Sequence, residues 1–462
     1  MSRIVAVSNR VADPRHRAST GGLAVGLLSA LEKGGGVWFG WNGELTEGDT
    51  RDPQVHVRQG VKYATIDLNN LEFEQYYNGF CNNTLWPLFH YRLGLFEYRR
   101  VQFQSYMRIN ELFARKLFPL LEPDDLIWVH DFHLIPLAEL LRRGGATQPL
   151  GFFLHTPFPS FEVLRALPVY RQLLNEMCAF DVLGFQTDRD LDAFRDCVTR
   201  PEVGATVLAD GTLRLGDRTI DARTFPIGID VASSAERAAS QEDSRQVQSI
   251  RTSLLGRQLL FGVDRLDYSK GLVKRFDSYE TFLERFPEFR RRVVYMQIAA
   301  PTRAGIRAYA EIRRELERVS GHINGRFAEV DWVPLRYLNR AVDRGALMAM
   351  LRLARIGFVT PVRDGMNLVA KEYVAAQDPA DPGVLVLSMM AGAAEELKDA
   401  VIVNPHDCDA VAEGIRQGLT MPLEERRNRH AAMLEVLRRN DITAWRERFV
   451  AALEAAADRS VK

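Results

Sequence analysis

The chain has 462 residues, its 60 lysines and arginines are matched by 60 aspartates and glutamates, and 46% of its residues are hydrophobic. That length exceeds what a single hydrophobic core covers, so two or more domains are expected, and the average composition excludes disordered, collagen-like and fibrous classes. Zero net charge leaves no footprint for nucleic acid or an anionic membrane surface, and no apolar run approaches the ~20 residues of a membrane span.

The first apolar run, residues 4–7, follows Met1-Ser2-Arg3 directly and leaves no room for a signal peptide, which predicts a cytoplasmic protein. Cys81, Cys178, Cys197 and Cys408 form no CxxC pair and read as reduced thiols, not as a disulfide frame or zinc site. Further apolar runs lie at 126–129, 151–154, 182–185, 259–263, 293–298, 356–359, 384–387 and 401–403. Being continuous and rich in branched side chains, they suit strands buried on both faces of a parallel sheet. Amphipathic stretches such as 272–286, 306–319 and 410–419 predict helices between them.

The alternation pauses once, at 203–228, which reads as short strands around Ala209-Asp210-Gly211-Thr212, followed by a polar helix predicted over 232–255. Strand–helix alternation on both sides predicts doubly wound α/β architecture in two domains, 1–228 and 229–442, with a last helix at about 443–462 packing back on the first. Ligands of such sheets bind beyond the carboxyl ends of the strands, so chemistry is sought there.

After the first strand stands Ser8-Asn9-Arg10, then a basic loop with Arg15, His16 and Arg17 leading to Gly21-Gly22-Leu23 at a helix start. Glycines there let backbone N–H groups approach an anion. The spacing matches neither GxGxxG nor GxxxxGK[ST], and an ordinary β–α turn fits equally well. The run 126–129 ends in His130-Asp131-Phe132-His133. The two histidines would share a helical turn, but the third and fourth ligands of a metal site are missing, so Asp131 reads better as an acceptor for polyol hydroxyls. The next strand ends in His155-Thr156-Pro157-Phe158-Pro159.

In the second half, 259–263 leads into Asp264-Arg265-Leu266-Asp267-Tyr268-Ser269-Lys270-Gly271, where Arg265 and Lys270 suit a diphosphate. Arg303 follows the strand at 293–298. The strand at 356–359 leads into Arg363-Asp364-Gly365-Met366-Asn367-Leu368-Val369-Ala370-Lys371-Glu372, a helix start able to stabilise a leaving phosphate, with a carboxylate one turn inside for ribose hydroxyls. Trp38, Trp41, Tyr76, Tyr77 and Trp86 offer either stacking faces for a sugar or ordinary core aromatics.

Together these segments resemble the trehalose-6-phosphate synthases, UDP-forming retaining glucosyltransferases of GT-B fold, from about residue 3 to about 450 and in the family's order. The resemblance rests on Val7-Ser8-Asn9-Arg10, Gly21-Gly22-Leu23, Trp38-Phe39-Gly40-Trp41, Tyr76-Tyr77-Asn78, Leu85-Trp86-Pro87, Trp128-Val129-His130-Asp131, Phe153-Leu154-His155, the stretch 264–271 and above all 363–373. It implies two Rossmann-like domains facing across a cleft, the first binding the acceptor and the second the nucleotide sugar. It implies donor binding by Gly22, His155, Arg265, Lys270, Asp364, Gly365, Met366, Asn367, Leu368, Val369 and Glu372, with Glu372 on the ribose and Asp364 and His155 on the glucosyl unit. Arg10, Tyr77, Trp86 and Arg303 would hold the phosphate of glucose 6-phosphate, with Trp41 and Asp131 nearer its hydroxyls. Catalytic roles fall to Asp131, His155, Arg265, Lys270 and Asp364.

The family's retaining chemistry implies a front-face route without a carboxylate nucleophile, in which the leaving phosphate accepts the proton of the incoming hydroxyl. UDP-glucose is then a substrate; no cofactor or metal is expected, nor any nucleic-acid or membrane partner, and a homo-oligomer is. One departure stands out: the family commonly carries an acidic residue two positions after the arginine matching Arg303, and here that position is Gly305. Two other readings keep the fold. One changes the nucleotide sugar or brings in a cyclitol partner, and of these a changed acceptor is disfavoured by the full set of Arg10, Tyr77, Trp86 and Arg303; the other, a silent sugar-phosphate sensor, is disfavoured by the presence of Arg265, Lys270, Asp364 and Glu372.

Overall fold

The structure, a computed structural model, describes residues 2–11, 27–28, 31, 35–48, 52–303 and 305–460. The chain divides into two compact units, Met1–Ile227 with Thr443–Lys462, and Gly228–Ile442.

In the first unit the parallel strands are β1 (Ile4–Arg10), β2 (Val37–Thr46), β4 (Val61–Asn69), β5 (Leu126–His130), β6 (Leu150–Phe153), β7 (Val182–Phe185) and β10 (Arg218–Thr224). Antiparallel strands β3 (Gln54–Arg58), β8 (Thr206–Val207) and β9 (Leu213–Leu215) extend the two edges. Among the described residues the order is β3-β4-β2-β1-β5-β6-β7-β10-β9-β8. Every residue of β5, β6 and β7 is buried, which is why their sequences are unbroken apolar runs. Strands β2, β3 and β4 lie outside the predicted runs. Gln54-Val55-His56-Val57-Arg58 is largely exposed and sits at the sheet edge, where burial does not write an apolar signature. Helices α1 (Arg100–Leu117) and α2 (Asp188–Thr199) belong to this unit, α2 being capped by Thr187, whose hydroxyl accepts from the Asp190 N–H.

Among the described residues the second unit holds six parallel strands in the order β13-β12-β11-β14-β15-β16, the 3-2-1-4-5-6 arrangement of a Rossmann sheet. They are β11 (Gln258–Arg265), β12 (Val293–Ala300), β13 (Leu335–Leu338), β14 (Ile356–Val359), β15 (Val384–Ser388) and β16 (Val401–Val403). The helix predicted over 232–255 is two helices, α3 (Val231–Ser240) and α4 (Arg245–Leu254). Between them Glu242 turns out to accept from Arg251 at 3.0 Å and Arg352 at 3.1 Å, side-chain bonds that favour a break over continued helix. Helices α5 (Leu272–Arg285), α6 (Arg307–Phe327), α7 (Arg344–Leu353), α8 (Leu368–Ala376) and α9 (Cys408–Thr420) cover the sheet; α6 runs beyond the predicted 319 because its apolar stripe continues to the buried Ile323.

The last helix, α10 (Ile442–Ser460), belongs to the first unit from Thr443 onward. Its Phe449 stacks on Trp128 at 4.5 Å and meets Phe225 edge-on at 5.1 Å, while Trp445 lies 4.9 Å from Trp128. Trp445 and Phe449 are fully buried. Among the described residues no helix is long and apolar enough to cross a membrane.

In both units the strand order reverses at one place, between β1 and β5 in the first and between β11 and β14 in the second. A crevice forms at such a reversal, because the connections leave in opposite directions. Ser8 pairs in register with His130 at the first, and Leu260 with Ile356 at the second.

Candidate active site

At the second reversal, β11 ends in the exposed Arg265, and a short turn (Tyr268–Lys270) delivers Lys270. Gly271 then takes φ +65°, and a Cβ there would lie 2.8 Å from the Thr360 carbonyl oxygen, so only glycine lets the turn meet the end of β14. Beneath the turn lies the fully buried Arg275 of α5. Its guanidinium donates to the Asp264 carboxylate at 2.5 Å, Gln297 Oε1 at 2.9 Å, Thr360 Oγ1 at 3.0 Å and the Lys270 carbonyl at 3.2 Å. One side chain thereby ties β11, β12 and the residue after β14 to the loop carrying Lys270.

Lys270 Nζ donates to Asp364 Oδ2 at 2.5 Å, and Asn367 Nδ2 donates to the same oxygen at 3.0 Å. Asn367 sits at φ +76° as the cap of α8, its Oδ1 accepting from the Ala370 N–H at 3.2 Å. Gly365 and Met366 form the turn before that cap, with the Met366 carbonyl accepting from the Ala393 N–H, and Leu368 and Val369 open the helix. The first turn of a helix leaves N–H groups without intrahelical acceptors, and these are the donors a phosphate needs. Glu372, further along α8, is 14% exposed and accepts from Arg344 Nη2 of α7 at 2.7 Å. Burial pushes its carboxyl above the usual range, against the pull of Arg344.

Arg303 follows β12 at φ +47°. Its Nη1 donates to Asp267 Oδ2 at 2.9 Å and to the Tyr309 hydroxyl at 2.5 Å, and its side chain is 6% exposed. Asp267, fully buried, also accepts from the Ser269 N–H at 2.9 Å and the Tyr309 hydroxyl at 3.1 Å. The acidic support expected at position 305 is therefore supplied by Asp267, from the loop after the neighbouring strand.

At the first reversal, Arg10 ends β1 with its guanidinium 5.9 Å over the Trp41 ring. It lies flat on Gly43, where a Cβ would fall 2.5 Å from a guanidinium nitrogen. A chain of rings follows: Trp41–Tyr77 at 5.8 Å, Tyr77–His133 at 6.0 Å, His133–Phe132 at 4.0 Å and Phe132–Trp86 at 5.9 Å. Tyr77 belongs to a π-helical stretch, Phe73–Leu85, and Trp86 continues it. The Tyr76 hydroxyl anchors that stretch to β1 by donating to Asn9 Oδ1 at 2.7 Å.

Asp131 closes β5 at φ +74°, a conformation that costs a non-glycine residue roughly 1–3 kcal/mol and is held here by the Asp131 N–H bond to the Phe153 carbonyl. Its Oδ1 accepts from the His155 N–H at 3.3 Å, so the carboxylate bridges the ends of two strands. The His155 ring lies 3.1 Å from His130, Nε2 to Nδ1, and burial pushes its pKa down to about 3. Burial and the neighbouring His155 push His130 down as well. Both rings are neutral at pH 7 and interact as donor and acceptor.

His130 ends a strand, so it and His133 do not share a helical turn as the sequence spacing suggested. Among the described residues no group of three or more histidine, cysteine, aspartate or glutamate side chains is placed to hold a metal ion. Gly22 lies outside the described residues. Arg275, Asp267, Tyr309 and Arg344 are polar groups of these sites not singled out from the sequence. A charged residue on an amphipathic helix reads as a solvated surface charge, and nothing local distinguishes a buried one.

The model of glycosyltransferase family 20 matches residues 5–455. The chain belongs to glycosyltransferase family 20. This family-20 enzyme is 48% identical over 464 residues to a protein of Escherichia coli O1:K1 / APEC named trehalose-6-phosphate synthase, an alignment covering 100% of this chain and 97% of that one. It is also similar to a solved UDP-forming α,α-trehalose-phosphate synthase from Burkholderia xenovorans in complex with glucose-6-phosphate, at 49% identity and TM-score 0.95 over 98% of this chain and 100% of that one. A third similarity is to a solved structure from E. coli bound with UDP-2-fluoro glucose, at 46% identity and TM-score 0.94 over 98% and 99% of the two chains. The family-20 chain is thus a glycosyltransferase of GT-B fold, built from two Rossmann-like units.

Proposed function

We propose that this enzyme transfers glucose, with retention, from UDP-glucose to glucose 6-phosphate, giving α,α-trehalose 6-phosphate and UDP. The observation that carries the reading is the grouping of polar residues at the two strand-order reversals of a chain 48% identical to a trehalose-6-phosphate synthase. Arg265, Lys270 and the first-turn N–H groups of α8 take the diphosphate, and Glu372 takes the ribose. Asp364, held by Lys270 and Asn367, accepts from glucosyl hydroxyls. A carboxylate oxygen already accepting two hydrogen bonds is a poor nucleophile, which favours the front-face route. Neutral His155 serves the sugar as a hydrogen-bond partner.

Arg10, Tyr77, Trp86 and Arg303 bind the acceptor phosphate, with Trp41 and Asp131 on the hydroxyls. As bonding to the leaving oxygen weakens, charge grows on the diphosphate; Arg265 and Lys270 stabilise it, and that oxygen takes the proton of the attacking hydroxyl. In this reading the enzyme works in the cytoplasm as a homo-oligomer on small soluble substrates, without metal, nucleic acid or membrane. The test is nucleotide release from UDP-, GDP- and ADP-glucose, each with and without glucose 6-phosphate. Turnover that requires glucose 6-phosphate and is fastest with UDP-glucose is expected; a folded enzyme releasing no UDP under those conditions sinks the proposal.

A further inference from the structure

Helix α8 carries two consecutive charged residues with different surroundings. Lys371 is fully buried and paired with Glu396 at 2.5 Å, a contact sealed inside the unit. Glu372 keeps 14% of its side chain exposed, and its partner Arg344 keeps 35%. Arg344 is the first residue of α7, whose start is fixed by Asp343: that carboxylate accepts from the Gly345 N–H at 2.8 Å and the Ala346 N–H at 3.3 Å. From this anchored turn Arg344 reaches Oε1 of Glu372, and no described residue donates to Oε2.

We propose that Arg344 is a positioning residue for the donor ribose, tying one oxygen of Glu372 so that the other stays charged and aimed at the ribose hydroxyls. The inference rests on the assignment of Glu372 to the ribose made above. A carboxylate this buried needs a compensating cation to remain an anion, and an ionised carboxylate accepts from hydroxyls through both oxygens where a protonated one gives up part of that capacity. Burial alone drives Glu372 towards protonation, and Arg344 is the charge that opposes it. The simpler role, a tie between α7 and α8, predicts lost stability but no change in how the enzyme reads the sugar of the nucleotide.

The experiment compares kcat/KM for UDP-glucose with that for its 2′-deoxyribose and 3′-deoxyribose analogues, in the wild type, Arg344→Ala, Arg344→Lys and Glu372→Ala. Arg344→Ala is expected to raise the UDP-glucose KM about tenfold, the worth of one charge-assisted hydrogen bond, and to cut the preference for the ribose donor by a similar factor. The KM for glucose 6-phosphate should stay put, and Arg344→Lys should recover part of the preference. If Glu372→Ala erases the preference while Arg344→Ala keeps it, the positioning role is wrong and the ribose assignment stands. If Glu372→Ala keeps the preference, the ribose assignment fails and the inference falls with it. Should Arg344→Ala not fold, the same comparison is made with Arg344→Lys, and a fully retained preference there overturns the role.

Discussion

Arg303 holds a left-handed backbone conformation at the end of β12, and its guanidinium is turned onto Asp267 and Tyr309. Left-handed φ costs an ordinary residue on the order of 1–2 kcal/mol, so the surroundings must enforce it. Of the two partners, Asp267 supplies charge and Tyr309 supplies orientation, its hydroxyl accepting from Arg303 while donating to Asp267. Tyr309→Phe removes the orienting contact and leaves the charge. It should raise the KM for glucose 6-phosphate several-fold and leave the KM for UDP-glucose unchanged, both read from initial rates. Equal changes in the two constants would mean that Tyr309 acts on the whole unit and not on Arg303. Gly305 falls into place on the same grounds, since the carboxylate bearing on the arginine comes from Asp267, distant in sequence and adjacent in the sheet.

At the scale of elements, a buried polar contact joins β11 to α5. The Arg275–Asp264 pair is fully buried, with side chains 0% and 3% exposed, and Gln297, Thr360 and the Lys270 carbonyl accept three further guanidinium hydrogen bonds. Breaking such a pair strands a buried charge, typically at a cost of about 3–5 kcal/mol. Arg275→Met is therefore expected to lower urea-unfolding stability by that order and to loosen the Lys270 loop; a loss below ~1 kcal/mol would show that Asp264 is neutral in the fold. The sequence presents Arg275 as one more cation on an amphipathic helix, Leu272–Arg285, whose bounds were nonetheless readable. The strands legible in the sequence are the apolar runs buried on both faces and the short, partly exposed strands β8 to β10, which the turn at 209–212 marks. Those missed, β2, β3, β4 and β13, either lie at or near an edge or carry polar residues such as Arg336 and Asn42.

At the scale of the whole molecule, folding couples to protonation through buried histidines, His130 and His155 in the first unit and His430 in the second. All three are pushed below the ordinary value by burial. An unfolded histidine takes a proton below about pH 6.5, whereas folded His155 takes none until about pH 3, so its contribution to stability is complete above about 6.5 and is lost as the pH falls through that window. The penalty is on the order of 1–2 kcal/mol at pH 5. Urea unfolding at pH 7 and pH 5 should therefore show the wild type losing ground against His155→Gln by that amount. A constant difference between the two proteins would mean that His155 is solvated. The measurement is global because α10 returns to the first unit and packs Trp445 at 6.4 Å from His155, so protonating that ring disturbs the contact between the last helix and the sheet.

The sequence by itself determined the α/β rhythm, the fully buried strands and the family, because burial on two faces and glycine-bearing turns after strands leave local marks in the residue order. It also placed Arg10, Asp131 and His155 just after strands and Lys270 and Asp364 in the loops that follow strands, since polar and glycine-bearing segments after apolar runs are visible along the chain. Only the tertiary structure decided which strands adjoin at the two reversals, that the 232–255 segment is two helices, that Arg275 holds the Lys270 carbonyl, that Asp267 and Tyr309 hold Arg303, and that Arg344 holds Glu372. Those partners lie between 5 and 36 positions from Lys270, Arg303 and Glu372, the residues they hold. Pairing over such separations is selected by the free energy of burying charge together, which no stretch of sequence records locally.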